Sequence, residues 1–227
     1  MQYGEGKLGQ EWCSREVVIG ALCLARRRCA TLETFRIERN GVRTIWQTTR
    51  LELRMLGPEA AAAVREYGLR SAAYHEPFDP IRPPDYWELP VVADRLVSQQ
   101  WEGANGSSLC LFIVEIGEPD RVLGAVNLRN ILRGALMSGT LGYGLAPDAV
   151  SKGFMTESVD RVVRIAFEEI GLHRVEVNIM PRNVRSLAVA ERCGFVREGL
   201  SPRYLRIAGR WEDHVRLART ASERHER

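Results

Sequence analysis

A short loop at residues 150–155 carries the clearest chemical signal in the sequence. Lys152 and Gly153 follow an apolar stretch and come just before a run of residues with helical spacing, with the hydroxyls of Ser151 and Thr156 on either side. A helix presents free backbone N–H groups in its first turn, and its dipole adds partial positive charge there. Glycine also lets the backbone approach a ligand closely. The loop is therefore predicted to bind an anion such as a phosphate, or else to be a plain turn from a strand to a helix.

Two strands and two helices are predicted to position this loop. Apolar residues recur at helical spacing over 156–170, with charged residues on the other faces of that helix. The stretch 140–146 before the loop and the β-branched stretch 174–179 after the helix are predicted strands. Because a helix connects them, the two strands are expected to pair in parallel. An Asn-x-x-Ser turn at Asn183 then leads into a helix over 186–192.

The rest of the sequence predicts an α+β domain. Consecutive strands with short turns indicate an antiparallel meander, so the fold class is a mixed, mostly antiparallel twisted sheet with helices on both faces. The other predicted strands are 50–55, 109–116, 122–130, 195–198 and 211–218, and the other predicted helices are 58–69 and 87–100.

The domain is predicted to span residues 44–221. Residues 1–43 are interpreted as an N-terminal extension of uncertain order, and residues 222–227 as a C-terminal tail. Within the extension, residues 16–28 have helical spacing and end in three arginines. The extension is interpreted as peripheral, with a nucleic-acid contact through the arginines as the alternative.

Composition and charge exclude several classes of protein. With 45% hydrophobic and 27% charged residues, the 227-residue chain has the composition of an ordinary globular protein, and its net charge of +3 is too small to argue for nucleic-acid binding. No apolar run is long enough to span a membrane, and the N-terminus lacks a signal-peptide pattern. The five cysteines form no Cys-x-x-Cys pair, which predicts reduced thiols in the cytoplasm, with neither a disulfide framework nor a metal site. Cys193 is predicted to lie in the core.

Five motifs carry a resemblance to a known family. They are KGFMTES at 152–158, AFEEIGLHRVEVNIMPRNVRS at 166–186, ERCGFVREG at 191–199, YLRIAGRWEDH at 204–214 and HEPFDPIRPPDY at 75–86. With them, residues 44–220 resemble the ribosomal-protein-alanine N-acetyltransferases of the RimJ/RimL type, within the GNAT superfamily. The family's pyrophosphate loop, Gln/Arg-x-x-Gly-x-Gly/Ala, aligns with residues 150–155, where Gly153 matches and Val150, Ser151 and Met155 depart. Because main-chain N–H groups bind the phosphates, the departures are expected to weaken coenzyme binding at most.

The resemblance implies acetyl-coenzyme A (acetyl-CoA) as co-substrate and no metal. The pantetheine arm of the coenzyme is expected to lie where the strands 140–146 and 174–179 part, bonded there as an added strand would be. Asn183 is expected to bond the arm or to cap the next helix, and the two roles are compatible. The predicted coenzyme-binding residues are Leu145, Val150, Ser151, Lys152, Gly153, Phe154, Met155, Thr156, Asn183 and Ser186.

The implied reaction is direct attack of an amine on the thioester in a ternary complex. It needs a neutral amine, a hydrogen-bond donor for the carbonyl oxygen and a proton for the leaving thiolate. Backbone N–H groups near Leu145 are the predicted donors. Ser186 is the predicted source of the proton, or else a first-turn serine that bonds the backbone. Glu176 is predicted to be the base, or else a surface residue, and Glu115 and His75 are weaker candidates.

The predicted acceptor is the N-terminal α-amine of a protein, with a ribosomal protein as the natural guess. An α-amine has a pKa near ~8, so on the order of a tenth is neutral at pH 7, whereas a lysine amine near ~10.4 leaves well under a thousandth neutral. A weak base therefore suffices for an α-amine. The predicted substrate-binding residues, from the proline-rich loop at 75–86 and the motif at 204–214, are His75, Phe78, Tyr86 and Tyr204.

Two alternatives to this acceptor stay open. One is a small-molecule amine such as an antibiotic, a polyamine or an amino acid, and an acidic site lining would favour a cationic one. The other is a non-catalytic acyl-coenzyme-binding or ribosome-associated module. The expected partner is the N-terminus of a protein or peptide. Contact with nucleic acid is expected only through the ribosome. The expected assembly is a monomer or a homodimer.

Overall fold

The structure of the protein is a computed structural model that describes residues 45–222. The predicted extension 1–43, its arginine run and the residues 223–227 of the predicted tail lie outside the described residues. Within the described range, no helix is both long and apolar enough to cross a membrane.

The described residues form one eight-stranded mixed sheet with the strand order β1-β2-β3-β4-β5-β6-β8-β7. The pair β5–β6 is parallel and the other neighbouring pairs are antiparallel, which confirms the predicted mixed, mostly antiparallel sheet. The strands are β1 (Ile45–Gln47), β2 (Leu51–Arg54), β3 (Leu109–Glu115), β4 (Glu118–Leu132), β5 (Ser138–Leu145), β6 (Arg174–Ile179), β7 (Val196–Ile207) and β8 (Arg210–Thr220).

Four helices cover both faces of the sheet, as predicted. They are α1 (Ala61–His75), α2 (Leu89–Ala104), α3 (Phe154–Arg164, continued by a π-helical turn Ile165–Glu169) and α4 (Val184–Arg192). Successive side chains of a strand point to opposite faces. Accordingly, Leu111 and Ile113 of β3 pack in the hydrophobic cluster with α3, whereas Phe112 and Val114 pack in the cluster with α1 and α2.

The two predicted boundaries that differ most from the structure are the end of the first helix and the end of β7. The helix predicted to end at 69 continues through α1 to His75, so His75 is helical and the proline-rich segment begins with a short 3-10 helix, Glu76–Phe78. The strand predicted at 195–198 extends to Ile207 and pairs with β8 in a long hairpin. Most residues of β7 are exposed, so its sequence lacks the apolar alternation from which a strand is recognised.

The strands β5 and β6 part within the sheet. Their parallel pairing stops at Thr140 opposite Glu176. Beyond that point Leu141–Leu145 is paired only with β4, on its other side, and Val177–Ile179 only with β8. A gap therefore opens between β5 and β6, at the place where the sequence predicted that these two strands part.

Candidate active site

A cleft of about 1850 Å³ follows this gap through the sheet. Segments from α1, the loop after it, β5, the loop before α3, and α4 form its walls. The predicted site residues that line the cleft are His75, Phe78, Tyr86, Leu145, Val150, Ser151, Gly153, Phe154, Met155, Thr156, Asn183, Ser186 and Tyr204. Lys152 and Glu176 are not among the lining residues.

The loop before α3 has the geometry of an anion site. Ser151 and Gly153 both have left-handed backbone conformations, with φ of 64° and 80°, and Gly153 is the N-cap residue of α3. The helix begins at Phe154, two residues earlier than predicted. The N–H of Glu157 donates to the carbonyl oxygen of Gly153 at 3.1 Å, which is the first bond of the helical ladder. The N–H groups of Phe154, Met155 and Thr156 precede that bond and have no carbonyl acceptor within the helix.

Arg50 holds this loop from outside the cleft. Its guanidinium donates to the carbonyl oxygen of Lys152 at 2.9 Å, stacks over the ring of Phe154 at 4.7 Å and forms an ion pair with Glu157 at 2.6 Å. Lys152 turns its ammonium toward the same ring, 5.8 Å from its centre, rather than into the cleft. Lys152 therefore stays a predicted coenzyme-binding residue as part of the loop, and Arg50, which the sequence motif does not include, holds the loop in place.

Glu157 makes the stability of this anchor dependent on pH. Burial raises the pKa of its carboxyl group, but hydrogen bonds from Thr48 and Arg50 outweigh burial and leave the pKa below the ordinary 4.5. A lowered pKa contributes stability above the unfolded-state value, and that stability is lost as pH falls through the folded-state value. We expect Glu157→Gln to lower the free energy of unfolding by about 1 kcal/mol at pH 7 and by progressively less below pH ~4.5.

Denaturant titrations of both proteins between pH 7 and pH 3 measure this difference. Glu191→Gln, at an exposed position of α4, is the control and should show no such pH dependence. A deficit of Glu157→Gln that persists unchanged at pH 3 would contradict the assigned role of the carboxylate.

The start of α4 lies on the same face of the sheet as α3. Asn183 is its N-cap, and its side-chain oxygen accepts from the N–H of Ser186 at 3.2 Å. The predicted cap role is thus confirmed, and the amide NH₂ group is not used by the cap. The hydroxyl of Tyr143 on β5 donates to the carbonyl oxygen of Ser186 at 2.8 Å and ties the strand to the helix across the gap. Burial raises the pKa of this phenol, so it stays protonated and donates.

The backbone of β5 turns alternate peptide groups into the gap. The N–H of Ala146 donates to the carbonyl oxygen of Leu123 on β4 at 2.8 Å. Hydrogen-bonded pairs alternate along an antiparallel ladder, so the peptide groups of Leu141, Tyr143 and Leu145 point away from β4. Nε2 of His75 lies 2.8 Å from the carbonyl oxygen of Leu145, and its N–H group donates a hydrogen bond to that oxygen. The N–H of Leu145 points the same way as that carbonyl and faces the gap.

The opposite face of β5 carries two glycines, Gly142 and Gly144, which we call the glycine floor. Gly142 and Gly144 point toward α1, away from the face where Leu141 and Leu145 pack with α3. A Cβ at Gly142 would meet nothing within 4 Å, and one at Gly144 would meet Cε1 of His75 at 3.2 Å. Tyr67 donates to the carbonyl oxygen of Gly144 at 3.3 Å. The missing side chains leave room for a second substrate on this face.

The loop after α1 covers the glycine floor. The N–H of Ala208 in the β7–β8 turn donates to the carbonyl oxygen of Asp79 at 2.9 Å. Arg182 donates to the carbonyl oxygen of Pro77 at 3.0 Å and stacks on Phe78. These contacts connect the loop to the hairpin and to the β6–α4 turn. The predicted substrate residues therefore surround one chamber, which we call the acceptor chamber: the α1 face of β5, the loop at 76–87 and the β7–β8 hairpin.

The carboxylates predicted as bases do not lie in the cleft. Glu176 accepts from Arg174 at 2.7 Å and from Arg216 at 3.2 Å, so its carboxylate is bound by two guanidinium groups outside the cleft. Glu115 is the last residue of β3 and does not line the cleft either. Of the three candidate bases, only His75 lines the cleft.

Several lining residues were not predicted from the sequence. They are Tyr67, Tyr143, the arginines at 82, 95, 129, 182 and 185, and the buried His214. Nδ1 of His214 lies 3.0 Å from the carbonyl oxygen of Glu212, and its ring contacts Tyr204. The motif at 204–214 contained both rings, but the exposed pattern of β7 concealed their pairing across the hairpin.

Cys193 is a core residue, as predicted, rather than a nucleophile. Its side chain is 4% exposed, and burial raises the pKa of its thiol to about 11. A protonated thiol of this kind is a weak nucleophile. Among residues 45–222, no group of three or more His, Cys, Asp or Glu side chains is arranged to hold a metal ion.

Known proteins share this architecture. Residues 50–196 match the acetyltransferase (GNAT) domain family. The chain is 38% identical to the probable N-acetyltransferase YjcK of Bacillus subtilis over 162 residues, 70% of this chain and 89% of that one. It is 30% identical to the ribosomal protein uS5-alanine N-acetyltransferase of Escherichia coli over 183 residues, 78% of this chain and 90% of that one.

A solved structure gives the same result. Mycobacterium smegmatis RimJ in complex with CoA-disulfide has a TM-score of 0.71 and 29% identity, covering 75% of this chain and 82% of that one. The chain therefore belongs to the GNAT acetyltransferase family and is an N-acetyltransferase, with ribosomal-protein-alanine N-acetyltransferases of the RimJ/RimL type among its relatives.

Proposed function

We propose that the protein transfers an acetyl group from acetyl-CoA, the co-substrate of its family, to the N-terminal α-amine of a protein, by direct attack in a ternary complex. The observation that carries the proposal is the gap between β5 and β6. It joins a helix start with free N–H groups on one face of the sheet to a glycine-floored chamber on the other. Two substrates that enter from opposite faces meet at Leu145.

The coenzyme fits the face that carries α3 and α4. The free N–H groups at the start of α3 suit a diphosphate, and the left-handed Gly153 has no side chain to keep it away. The peptide groups of Leu141, Tyr143 and Leu145 suit an extended arm that pairs with β5 in place of β6. The free amide NH₂ group of Asn183 is a further donor to that arm.

The chemistry needs few protein groups. The N–H of Leu145 donates to the thioester carbonyl oxygen, where negative charge develops. Ser186 donates a proton to the thiolate that leaves. Nε2–H of His75 donates to the carbonyl oxygen of Leu145 and orients that peptide, and the other ring nitrogen, Nδ1, is the candidate base in place of Glu176. An α-amine is already about one-tenth neutral at pH 7, so it tolerates a weak base.

The lining of the acceptor chamber favours a peptide over a polyamine. A cationic small molecule would need unpaired carboxylates around it, whereas Asp79 of the loop at 76–87 is paired with Arg82, and the lining there contains four arginines, at 82, 95, 129 and 182. In addition, the chamber continues along the β7–β8 hairpin to Tyr204 and Leu205, which gives it the length that an extended peptide needs.

Two measurements on the full chain test the proposal. Thermal unfolding with acetyl-CoA reports coenzyme binding, and release of the coenzyme thiol reports transfer to peptides with a free or a blocked N-terminus. We expect stabilisation by acetyl-CoA and thiol release with the free N-terminus alone. Stabilisation without thiol release on any peptide or small amine would leave only a non-catalytic coenzyme binder.

Ser186→Ala tests the proposed proton donor. We expect kcat to fall about tenfold, which is less than the ~100-fold or more that general acid catalysis typically contributes, because water replaces the hydroxyl in part. The Kd for acetyl-CoA should stay within about threefold, since the cap of α4 uses the backbone N–H of Ser186 and not its side chain. Steady-state kinetics with calorimetry measure both, and Ser98→Ala on α2 is the matched helix-serine control outside the cleft. An unchanged kcat would remove Ser186 from the mechanism.

A further inference from the structure

Three arginines that line the cleft come from different elements, and two of them stack on one ring. Arg82 lies in the loop after α1, Arg95 on α2 and Arg129 on β4. The guanidiniums of Arg82 and Arg95 stack on Tyr86 at 4.3 Å and 4.1 Å from its centre. Arg95 also donates to the carbonyl oxygen of Tyr86 at 3.1 Å. The stacking fixes both charges at the wall of the cleft.

The positive charge of this cluster is not balanced. Arg82 pairs with Asp79 at 2.5 Å, but among residues 45–222 no carboxylate forms an ion pair with Arg95 or Arg129. Burial, and then the neighbouring guanidiniums of Arg82 and Arg129, lower the pKa of Arg95 against an opposing effect of Tyr86. The guanidinium groups of Arg82, Arg95 and Arg129 carry like charges that repel each other, and an anion bound between them relieves this repulsion.

A second polar group at the same place lacks a partner. Gln99 lies one helical turn after Arg95 and lines the cleft beside it. Its side-chain oxygen is buried, and within the described range it has no hydrogen-bond partner. A buried oxygen without a donor destabilises the protein, and a ligand that supplies a donor removes that cost. A backbone N–H group of a bound peptide can donate to the side-chain oxygen of Gln99.

We propose that Arg95, Arg129 and Gln99 form a subsite for an acidic side chain of the acceptor peptide, near its N-terminus. The inference rests on the proposed function. Arg129 pairs with Thr140, four residues along β5 from Gly144. This spacing is about 13 Å, at ~3.3 Å per strand residue. An extended peptide with its amine at Gly144 has its fourth residue about 10 Å and its fifth about 13 Å along β5, so its fourth residue and the neighbours of that residue come within reach of the arginine side chains.

Two matched peptides test the subsite. Both begin with alanine, and they differ only in aspartate or asparagine at positions three and four. We expect wild-type kcat/KM to favour the aspartate peptide at least tenfold at low salt, and by less as salt screens the charges. Arg95→Gln and Arg129→Gln should each reduce the preference for the aspartate peptide over the asparagine peptide to less than about threefold, because each removes one of the charges that bind the carboxylate. Arg197→Gln, on exposed β7 outside the cleft, removes the same charge and should keep the preference.

Three other outcomes would each contradict one part of the proposal: the subsite, the peptide acceptor or the proposed function. Equal acetylation of both peptides by the wild type, or a preference that survives both substitutions, would overturn the subsite and leave the proposed function standing. Faster acetylation of free aspartate than of either peptide would overturn the assignment to a peptide. Thiol release with neither peptide, despite stabilisation by acetyl-CoA, would overturn the proposed function and this inference with it.

Discussion

Gly153→Asp is expected to raise the Kd for acetyl-CoA by at least about 100-fold. The substitution places a carboxylate at the N-cap of α3, where the proposed diphosphate binds. At ~5 Å and an effective dielectric constant of about 20, each pair of unit charges repels by about 3 kcal/mol. A loss of 2.7 kcal/mol or more corresponds to about 100-fold in affinity. Isothermal calorimetry at low ionic strength measures it.

Gly153→Asn is the matched control. Asparagine and aspartate have nearly the same shape and tolerate left-handed backbone conformations better than other side chains. Both variants therefore pay a similar cost in stability at the φ of 80°, and their difference in Kd reports charge. Added salt should reduce that difference. Equal affinity of the two variants for acetyl-CoA would mean that the loop does not hold the diphosphate.

Much of the coenzyme side was predictable because its signals are local. A glycine before an amphipathic helix, a parallel strand pair and an Asn-x-x-Ser turn each lie within a few residues of sequence. The structure has α3 begin beside Gly153, caps α4 with Asn183 and parts β5 from β6. The contact by which Arg50 holds this loop could not be predicted from local sequence, because Arg50 lies about 100 residues from Lys152 along the chain.

The acceptor side was less predictable because it depends on distant partners. Glu176 has the right residue type, and alternation puts it on the same face as the acceptor chamber. What excludes it is the ion pair with Arg216, which lies 40 residues further along the chain. The cluster of Arg82, Arg95 and Arg129 likewise exists only after a loop, a helix and a strand have packed together.

One segment of β5 unites the two faces. In Leu141-Gly-Tyr-Gly-Leu145 the large residues face α3 and α4, and the glycines face the acceptor chamber. The same alternation turns the peptide groups of the large residues into the gap. This single five-residue stretch therefore lines the proposed coenzyme site, supplies the proposed hydrogen-bond donors for the pantetheine arm, and leaves room for the proposed acceptor amine.

Gly144→Val is expected to lower kcat/KM for the peptide amine by at least about 100-fold. The Cβ alone would lie 3.2 Å from Cε1 of His75 and 3.8 Å from the hydroxyl of Tyr67, so the added methyls occupy the place proposed for the amine. An attacking atom must come within ~3–3.5 Å of the carbonyl carbon, and a displacement of about 1 Å can cost about 100-fold. The Kd for acetyl-CoA should change less than about threefold, because the coenzyme binds on the other face.

The split between activity and coenzyme affinity is what distinguishes a blocked acceptor chamber from a damaged fold. Gly199→Val is the control, since it adds the same side chain to a strand outside the cleft, where a Cβ meets nothing within 4 Å. It should keep both kcat/KM and Kd. Calorimetry with acetyl-CoA and thiol release with the peptide measure the two quantities on each variant. If Gly144→Val weakens the coenzyme as much as it slows the amine, the two substrates do not approach β5 from opposite faces.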